Sequence, residues 1–178
     1  KESPNLEVEG ILRALNGEYI PPGPGGDPVR SPDVLPTGRN MVGFDARRVP
    51  TKIAEERAAV ITKQILEDYQ KEHGNYPESV GIVLFSLEVM QTHGETVSEI
   101  LQLIGVRPVR SEAGYSDFTR YTIIPLEELG RPRIDVAVDI SGIFRDTFPE
   151  LLQFLSKVIK AVADLDESLR RIMLESTV

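Results

Sequence analysis

The clearest pattern of hydrophobic and polar positions lies in the second half of the chain. From Ile134 to Ile140, apolar residues alternate with polar or small ones, a period of two that is typical of a strand with one buried face. Ser141-Gly142 interrupts the alternation. Thr147-Phe148-Pro149-Glu150 then predicts a helix start, with Thr147 as N-cap and proline in the first turn. The segment therefore reads as strand, polar turn and helix.

Similar patterns predict the other elements. Apolar residues at spacings of three and four indicate helices, and short apolar runs bounded by turn residues indicate strands. The predicted helices are Leu6–Leu15, Thr51 to about Gly74, one that starts at the Thr92–Glu95 capping box and ends just before Gly105, and one from the Thr147 cap to about Leu165. The other predicted strands are Ser79–Phe85, Val106–Arg110 and Tyr121–Pro125.

The longest of these helices has clear ends and one apolar stripe. Thr51 can cap its first turn, and Gly74 is suited to end it. Its core-facing residues are expected to be Ala54, Ala58, Ile61, Ile65 and Tyr69.

Strands that alternate with helices predict an α/β fold with βαβ units. We expect a three-layer, Rossmann-like domain with a mostly parallel central sheet, preceded by a Pro/Gly-rich loop region. Val80–Phe85 and Ile134–Ile140 should be neighbouring parallel strands in the middle of that sheet, since both have the strongest burial pattern. Residues 1–50, a helix and Pro/Gly-rich loops, are expected to pack on the α/β domain of residues 51–178 as one structural unit.

Composition narrows the classes of function. The chain has 178 residues, no cysteine and a formal net charge of −8, which disfavours a nucleic-acid partner. Its longest apolar run, Val80–Leu87, is too short to span a bilayer, and no signal peptide is visible. We therefore expect a cytoplasmic protein. With two histidines, a multi-histidine metal centre is excluded, and we assign no metal-binding residues.

Two junctions between a strand and a helix carry the candidate chemistry. Gln91–Glu95 and Ser141–Asp146 each lie between a predicted strand and a predicted helix, so in a parallel sheet both would open at the same edge. Simpler interpretations remain: Glu95 completes a capping box with Thr92, and Asp146 is an N-cap or pairs with Arg145.

A third candidate lies in the turn-rich segment Leu35–Asn40. Arg39 supplies a bidentate donor and Asn40 an amide. The alternative is a turn whose side chains bond local carbonyl groups.

Several motifs together resemble the large subunit of the ATP-dependent tetrapyrrole metal chelatases, the family that joins cobaltochelatase CobN and the magnesium chelatase H subunit. They occur in the family's order and span most of the chain. They are Tyr19-Ile-Pro-Pro-Gly-Pro-Gly-Gly-Asp-Pro-Val-Arg30, Leu35-Pro-Thr-Gly-Arg-Asn40, Gly105-Val-Arg-Pro-Val109, Leu129-Gly-Arg-Pro-Arg-Ile-Asp-Val136 and Ser141-Gly-Ile-Phe-Arg-Asp146.

The resemblance implies an internal segment of a ligase that inserts cobalt or magnesium into a tetrapyrrole, in cobalamin or chlorophyll-type biosynthesis. The large subunit would bind the macrocycle, while a separate AAA+ ATPase subunit and an associated chelatase subunit complete the complex. The divalent metal is a substrate, and ATP is used by the partner, in keeping with the missing Walker A motif. The segment alone is expected to be inactive.

Residue type and position then suggest roles at the site. Insertion needs oxygen ligands and a base, for which the candidates are Asp146, Glu95 and His93. The candidates for binding the macrocycle are Arg145, Arg39, Asn40, Ser141 and Gly142.

Two choices stay open. Phe85-Ser86 departs from the Trp-Gly pair of many family members, and Val89–Glu95, which contains His93, departs from a form common in the magnesium branch. These differences favour cobalt over magnesium by a small margin. The alternative function is a non-catalytic scaffold or subunit-docking domain of the same subunit, since rigid Pro/Gly-rich loops suit docking.

Overall fold

The computed structural model describes residues 2–25, 28–29, 34–42, 44–111 and 114–165. The helices are α1 (Ser3–Leu15), α2 (Lys52–His73), α3 (Ser86–Thr92), α4 (Glu95–Ile104), α5 (Leu126–Leu129), α6 (Gly142–Thr147) and α7 (Pro149–Ala163), with a short 3₁₀ helix at Ala46–Arg48. The strands are β1 (Gly23–Pro24), β2 (Asn40–Val42), β3 (Ser79–Leu84), β4 (Val106–Arg110), β5 (Ser116–Ile123) and β6 (Asp135–Ile140).

The chain forms two compact units, residues 1–45 and 46–178. In the first, α1 packs closely on the turn at Gly38, because a Cβ atom on Gly10 would lie 2.6 Å from the Gly38 carbonyl oxygen. The parallel pair β1–β2 completes this unit. The apolar side chains predicted to share one face of α1 are exposed, Ile11 by 61% and Leu15 by 79%.

In the second unit, β3 and β6 pair in parallel from Ser79↔Asp135 to Leu84↔Ile140. The α/β class and the predicted parallel neighbours are therefore confirmed. Within the described residues, however, these strands form a two-stranded sheet, so neither has the central position that the apolar run suggested. One face stays open, with Val83 50% exposed.

The remaining strands form an antiparallel hairpin, β4–β5. The sequence predicted β4 with its observed bounds, but β5 begins at Ser116, five residues before the predicted Tyr121. The sequence did not predict this start because the first part of β5 contains several polar residues, and much of the strand is only half-buried. The second unit thus contains a parallel pair, β3–β6, and an antiparallel pair, β4–β5.

The core of this unit forms where α4 packs against α2 and the strands. The predicted apolar face of α4 is buried, while α2 uses a different row from the predicted one. Thr51 caps α2 as expected, accepting a 3.2 Å hydrogen bond from the Ala54 N–H. The buried residues of α2 are spaced by four along the whole helix. Thr62 and Leu66, and not the predicted Ile61 and Ile65, are therefore buried on the side of α2 that packs against α4. The buried residues of α2 are Ala54, Ala58, Thr62 and Leu66.

The Arg-Pro-Arg segment closes the C-terminal end of α4. Arg131 donates to the carbonyl oxygens of Gln102 (2.5 Å) and Leu103 (3.1 Å). Arg133, only 8% exposed, donates to those of Ile104 (3.0 Å) and Gly105 (3.1 Å). Helix ends leave carbonyl groups without intrahelical partners, and cations are favourable there. This motif therefore has a structural role.

The helix after β6 starts earlier than predicted. Ser141, not Thr147, is the capping residue: its Oγ accepts a hydrogen bond from the Phe144 N–H at 3.2 Å, and α6 begins at Gly142. Thr147 instead ends α6, where its hydroxyl donates to the Ile143 carbonyl oxygen at 2.7 Å. The predicted Pro149 does open the next helix, α7. None of the helices in the described part is long and apolar enough to cross a membrane.

Candidate functional site

The carboxyl ends of β3 and β6 bring two short helices together. Leu84 and Ile140 are the last paired residues, and the Ser141 N–H still donates to the Leu84 carbonyl oxygen at 3.2 Å. Because the strands are parallel, α3 and α6 start at the same edge and contact each other. This is the edge where ligands bind in open α/β folds.

Three large apolar side chains are exposed at this edge. Phe85 is 57%, Leu87 66% and Ile143 72% exposed. Leu87 and Ile143 each lie three residues beyond the paired Leu84 and Ile140, so the two helices present them from matching positions. Single exposed apolar residues are common, but three at the carboxyl ends of two paired strands are a candidate binding surface.

Arg145 and Asp146 follow Ile143 on α6. Their side chains are 70% and 76% exposed, and Arg145 Nε lies 3.5 Å from Asp146 Oδ1. Asp146 lies inside α6 and is therefore not an N-cap. It pairs with Arg145, the other simple interpretation, but an exposed pair at this distance adds little stability. Both charged groups are accessible to a ligand. We call Phe85, Leu87, Ile143, Arg145 and Asp146 the strand-end surface.

Ser141 and Gly142, the other residues predicted to bind the macrocycle at this junction, differ in whether they can contact a ligand. The Ser141 hydroxyl is used as the cap of α6. Gly142 is exposed, and a Cβ atom there would meet no atom within 4 Å. Of the two, Gly142 offers open space next to the strand-end surface, while Ser141 has a structural hydrogen bond.

His93 ends α3 in a left-handed conformation, with φ of 56°. Its carbonyl oxygen accepts a hydrogen bond from the Thr51 N–H at 3.1 Å. The side chain is half-buried. His93 thus lies at the opposite end of α3 from Leu87, about 10 Å away for a helix of seven residues.

Glu95 forms an ion pair that its sequence did not suggest. Half of the expected capping box is present, since Thr92 Oγ1 accepts from the Glu95 N–H at 3.1 Å. The carboxylate, expected to turn back to the Thr92 N–H, instead accepts from Arg57 Nη1 at 2.9 Å. The predicted return bond is wrong because α2 packs along α4 and supplies a stronger, charged donor.

Two further glutamates lie close to Glu95. Burial raises the pKa of Glu99, and the neighbouring charges of Glu88 and Glu95 raise it further. Glu88 Oε1 lies 2.9 Å from Thr92 Oγ1. Among the described residues, no group of three or more Asp, Glu or His side chains could hold a metal ion. These carboxylates therefore form an acidic region and not a preformed metal centre.

Arg39 and Asn40 belong to the first unit. Asn40 is engaged locally: its Nδ2 donates to the Val34 carbonyl oxygen at 3.1 Å, and its Oδ1 accepts from the Gly38 N–H at 3.1 Å. This matches the alternative interpretation as a turn. Arg39 is exposed, and its side chain lies over Gly23, where a Cβ atom would be 2.9 Å from Arg39 Cγ.

A cavity of about 500 Å³ lies at the other end of β6. It is lined mainly by apolar residues, among them Ile104 of α4 and Ile159 and Val162 of α7, together with Arg133 and Asp135. It contains none of the predicted site residues.

Sequence patterns did not identify the apolar part of the strand-end surface. Phe85 and Leu87 looked like core residues because they continue the apolar run of β3, and Ile143 was read as part of a turn. The spacing of four between Glu95 and Glu99 would have indicated two carboxylates on one helix face.

Comparisons with known proteins indicate the family of the chain. Residues 1–176 match the family model described as CobN/Magnesium Chelatase. The chain is 43% identical over 162 residues to magnesium-chelatase subunit ChlH of Oryza sativa subsp. indica, which covers 90% of this chain and 12% of that protein. It is 39% identical over 163 residues to aerobic cobaltochelatase subunit CobN of Pseudomonas aeruginosa, covering 91% and 13%.

A solved structure is also similar. The catalytic subunit of cobaltochelatase from Mycobacterium tuberculosis superposes with a TM-score of 0.74 at 44% identity, over 91% of this chain and 14% of that one. The chain thus spans about an eighth of the length of the relatives it matches. Since the family match covers nearly all residues, and both branches are more than a third identical, the chain belongs to the CobN/magnesium chelatase family.

Proposed function

We propose that this chain is a segment of the macrocycle-binding large subunit of an ATP-dependent metal chelatase, which inserts cobalt or magnesium into a tetrapyrrole. The observation that carries this proposal is the strand-end surface. It combines exposed apolar side chains with an accessible guanidinium and carboxylate, in a chain whose relatives are named cobaltochelatase and magnesium-chelatase subunits.

The chemistry of this surface suits a flat, apolar ring with charged groups at its rim. Leu87 and Ile143 would contact the ring, since burying one such side chain contributes about 1.5–3 kcal/mol. Arg145 would pair with a rim carboxylate through two parallel hydrogen bonds. Asp146 would accept a proton from a pyrrole N–H as the metal enters.

The remaining predicted residues have weaker support. Glu95 would have to leave Arg57 before it could accept a proton or contact a metal. His93 lies beyond α3, so it would act at a different edge of the ring from Asp146. Arg39, Asn40 and Ser141 stay predictions, and Gly142 would allow close approach of the ring to the backbone.

The use of ATP and the partner subunits are part of the same proposal. The sequence contains no Walker A motif, so a separate AAA+ ATPase subunit would supply the energy and an associated subunit would complete the complex. Cobalt or magnesium would be a substrate, delivered to the ring. The small preference for cobalt and the cytoplasmic location also stay predictions.

A docking role is the second candidate. Exposed apolar residues also occur on α1, where Ile11 is 61% and Leu15 79% exposed. Such faces are typical of surfaces covered by another domain or subunit. In that case the strand-end surface would be buried by protein and would not contact the macrocycle.

An optical titration separates the two functions. We expect a water-soluble porphyrin to shift its Soret band and lose fluorescence when added to the full-length protein. Ile143→Asp should weaken this binding about tenfold, because it removes apolar contact and adds a charge that the ring would desolvate.

Val60→Asp is the matched control, since Val60 is 65% exposed on α2, away from the strand-end surface. This variant should bind the porphyrin as the unmodified protein does. Equal affinity of all three proteins would favour the docking function instead.

A further inference from the structure

The parallel pair β3–β6 has one covered face and one open face. On the covered face, Val80, Ile82 and Val136 pack against a buried hydrophobic cluster that includes Leu66 of α2. The residues that alternate with them along each strand are exposed, and Val83 is 50% exposed. Parallel strands are normally covered on both faces. In the part of the chain that the structure describes, the open face is therefore without the cover that this fold class provides.

The open face consists of three pairs of opposed residues. These pairs are Ser79↔Asp135, Gly81↔Ala137 and Val83↔Asp139, and we call the six residues the outer sheet face. The middle pair has almost no side chain, and a Cβ atom on Gly81 would meet no atom within 4 Å. Another segment can therefore approach the two strands closely there, with Val83 as an apolar contact beside it.

The outer sheet face carries two carboxylates and no cation. Asp135 and Asp139 are both exposed, and within the described residues neither side chain forms a salt bridge. They are four positions apart, so about 13 Å separates them along β6. A neutral segment over this face would remove water from both carboxylates without supplying a partner, which is unfavourable. A segment that covers the face therefore needs basic side chains.

The charge also argues against a second copy of this chain as the cover. Two outer sheet faces placed together would bring four carboxylates close to one another. By contrast, this chain spans about an eighth of its relatives' length, so a full-length protein has many other segments. Helices cover parallel strands in α/β folds. A helix of about thirteen residues would span the roughly 20 Å of a six-residue strand.

We propose that another segment of the same full-length polypeptide, an amphipathic helix with Lys or Arg side chains, docks on the outer sheet face. Its apolar side contacts Val83 and the small residues Gly81 and Ala137, and its basic side chains pair with Asp135 and Asp139. This inference rests on one part of the proposed function, that the chain is a segment of a longer subunit. It does not depend on macrocycle binding.

The accessibility of a thiol at position 137 tests this docking. In the purified full-length protein, Ala137→Cys should react with a maleimide about 100-fold more slowly when folded than in concentrated urea, because the thiol is reached only when the covering segment opens. Mass spectrometry of the peptide that carries residue 137 measures the rate. Val60→Cys is the matched control, since Val60 is 65% exposed on α2. It should react at similar rates in both conditions.

Removing the two charges tests whether the segment is basic. Ala137→Cys combined with Asp135→Asn and Asp139→Asn should react about tenfold faster than Ala137→Cys alone, since loss of the ion pairs lets the segment open more often. Glu56→Gln with Glu67→Gln, which removes two exposed carboxylates of α2, is the matched control. It should leave the rate unchanged.

Reaction of Ala137→Cys in the folded protein at a rate close to that in urea overturns this inference. Protection that is lost on dilution indicates a second copy, and protection that appears only with an added partner subunit indicates that subunit; either result overturns the proposed occupant. An unchanged rate after removal of both charges overturns its basic character. A protein that protects residue 137 but binds no porphyrin retains this inference and overturns macrocycle binding in the proposed function.

Discussion

Arg133→Met is expected to lower the free energy of unfolding by about 3 kcal/mol, since buried acceptors without partners cost about 1–3 kcal/mol each. Arg133 is 8% exposed. It donates to the carbonyl oxygens of Ile104, Gly105 and Ile124, the last at 2.6 Å. Methionine has nearly the same length but no donor, so these three carbonyl oxygens would lose the guanidinium that binds them.

Urea unfolding of the chain, followed by circular dichroism, measures this loss. Arg107→Met is the matched control, because Arg107 is 59% exposed and forms an exposed ion pair with Glu128. It should change stability by less than about 1 kcal/mol. Similar stability of the two variants would show that the hydrogen bonds of Arg133 do not hold α4.

Arg145→Ala is expected to reduce macrocycle affinity in the full-length protein about 10- to 100-fold, the range for loss of a hydrogen-bonded charge pair. Its melting temperature should stay nearly unchanged. The side chain is 70% exposed, and its ion pair with Asp146 is 3.5 Å long, so little folding energy depends on it.

Porphyrin titration and thermal unfolding of the same protein sample measure both quantities. Arg107→Ala, which removes another exposed arginine, should change neither of them. If Arg145→Ala instead lowers the melting temperature and leaves affinity intact, Arg145 has a structural role and the strand-end surface loses its charged contact.

Local sequence patterns predicted much of the fold. The bounds of β4, the cap at Thr51 and the parallel pairing of β3 with β6 agree with the structure, because each depends on residues close in sequence or on strong burial. The number of strands in the sheet could not be predicted from local patterns. A continuous apolar run indicates burial on both faces, yet Val83 is 50% exposed in a chain that covers about an eighth of its relatives' length.

Side-chain partners were harder to predict than elements. The sequence marks Glu95 as part of a capping box, but its partner is Arg57, which is 38 positions away along the chain. Likewise, Arg131 and Arg133 read as a family motif, and only the fold shows that they bind the end of α4. Contacts between distant segments depend on packing, which local periodicity does not contain.

Parallel strands bring the ends of β3 and β6 to one edge, as expected. Ser141–Asp146 lies at that edge, but Gln91–Glu95 does not, because α3 (Ser86–Thr92) separates it from the end of β3. Arg145 and Asp146 are accessible there. Leu87 and Ile143 were not recognised, since exposure of an apolar residue is a property of the folded surface.

A structure of the full-length protein with a bound porphyrin tests most directly whether the strand-end surface contacts the macrocycle. We expect the ring to lie within van der Waals contact of Leu87 and Ile143, with a rim carboxylate hydrogen-bonded to Arg145. A ring bound elsewhere, with Leu87 and Ile143 covered by another domain, would contradict the proposed function and favour the docking role.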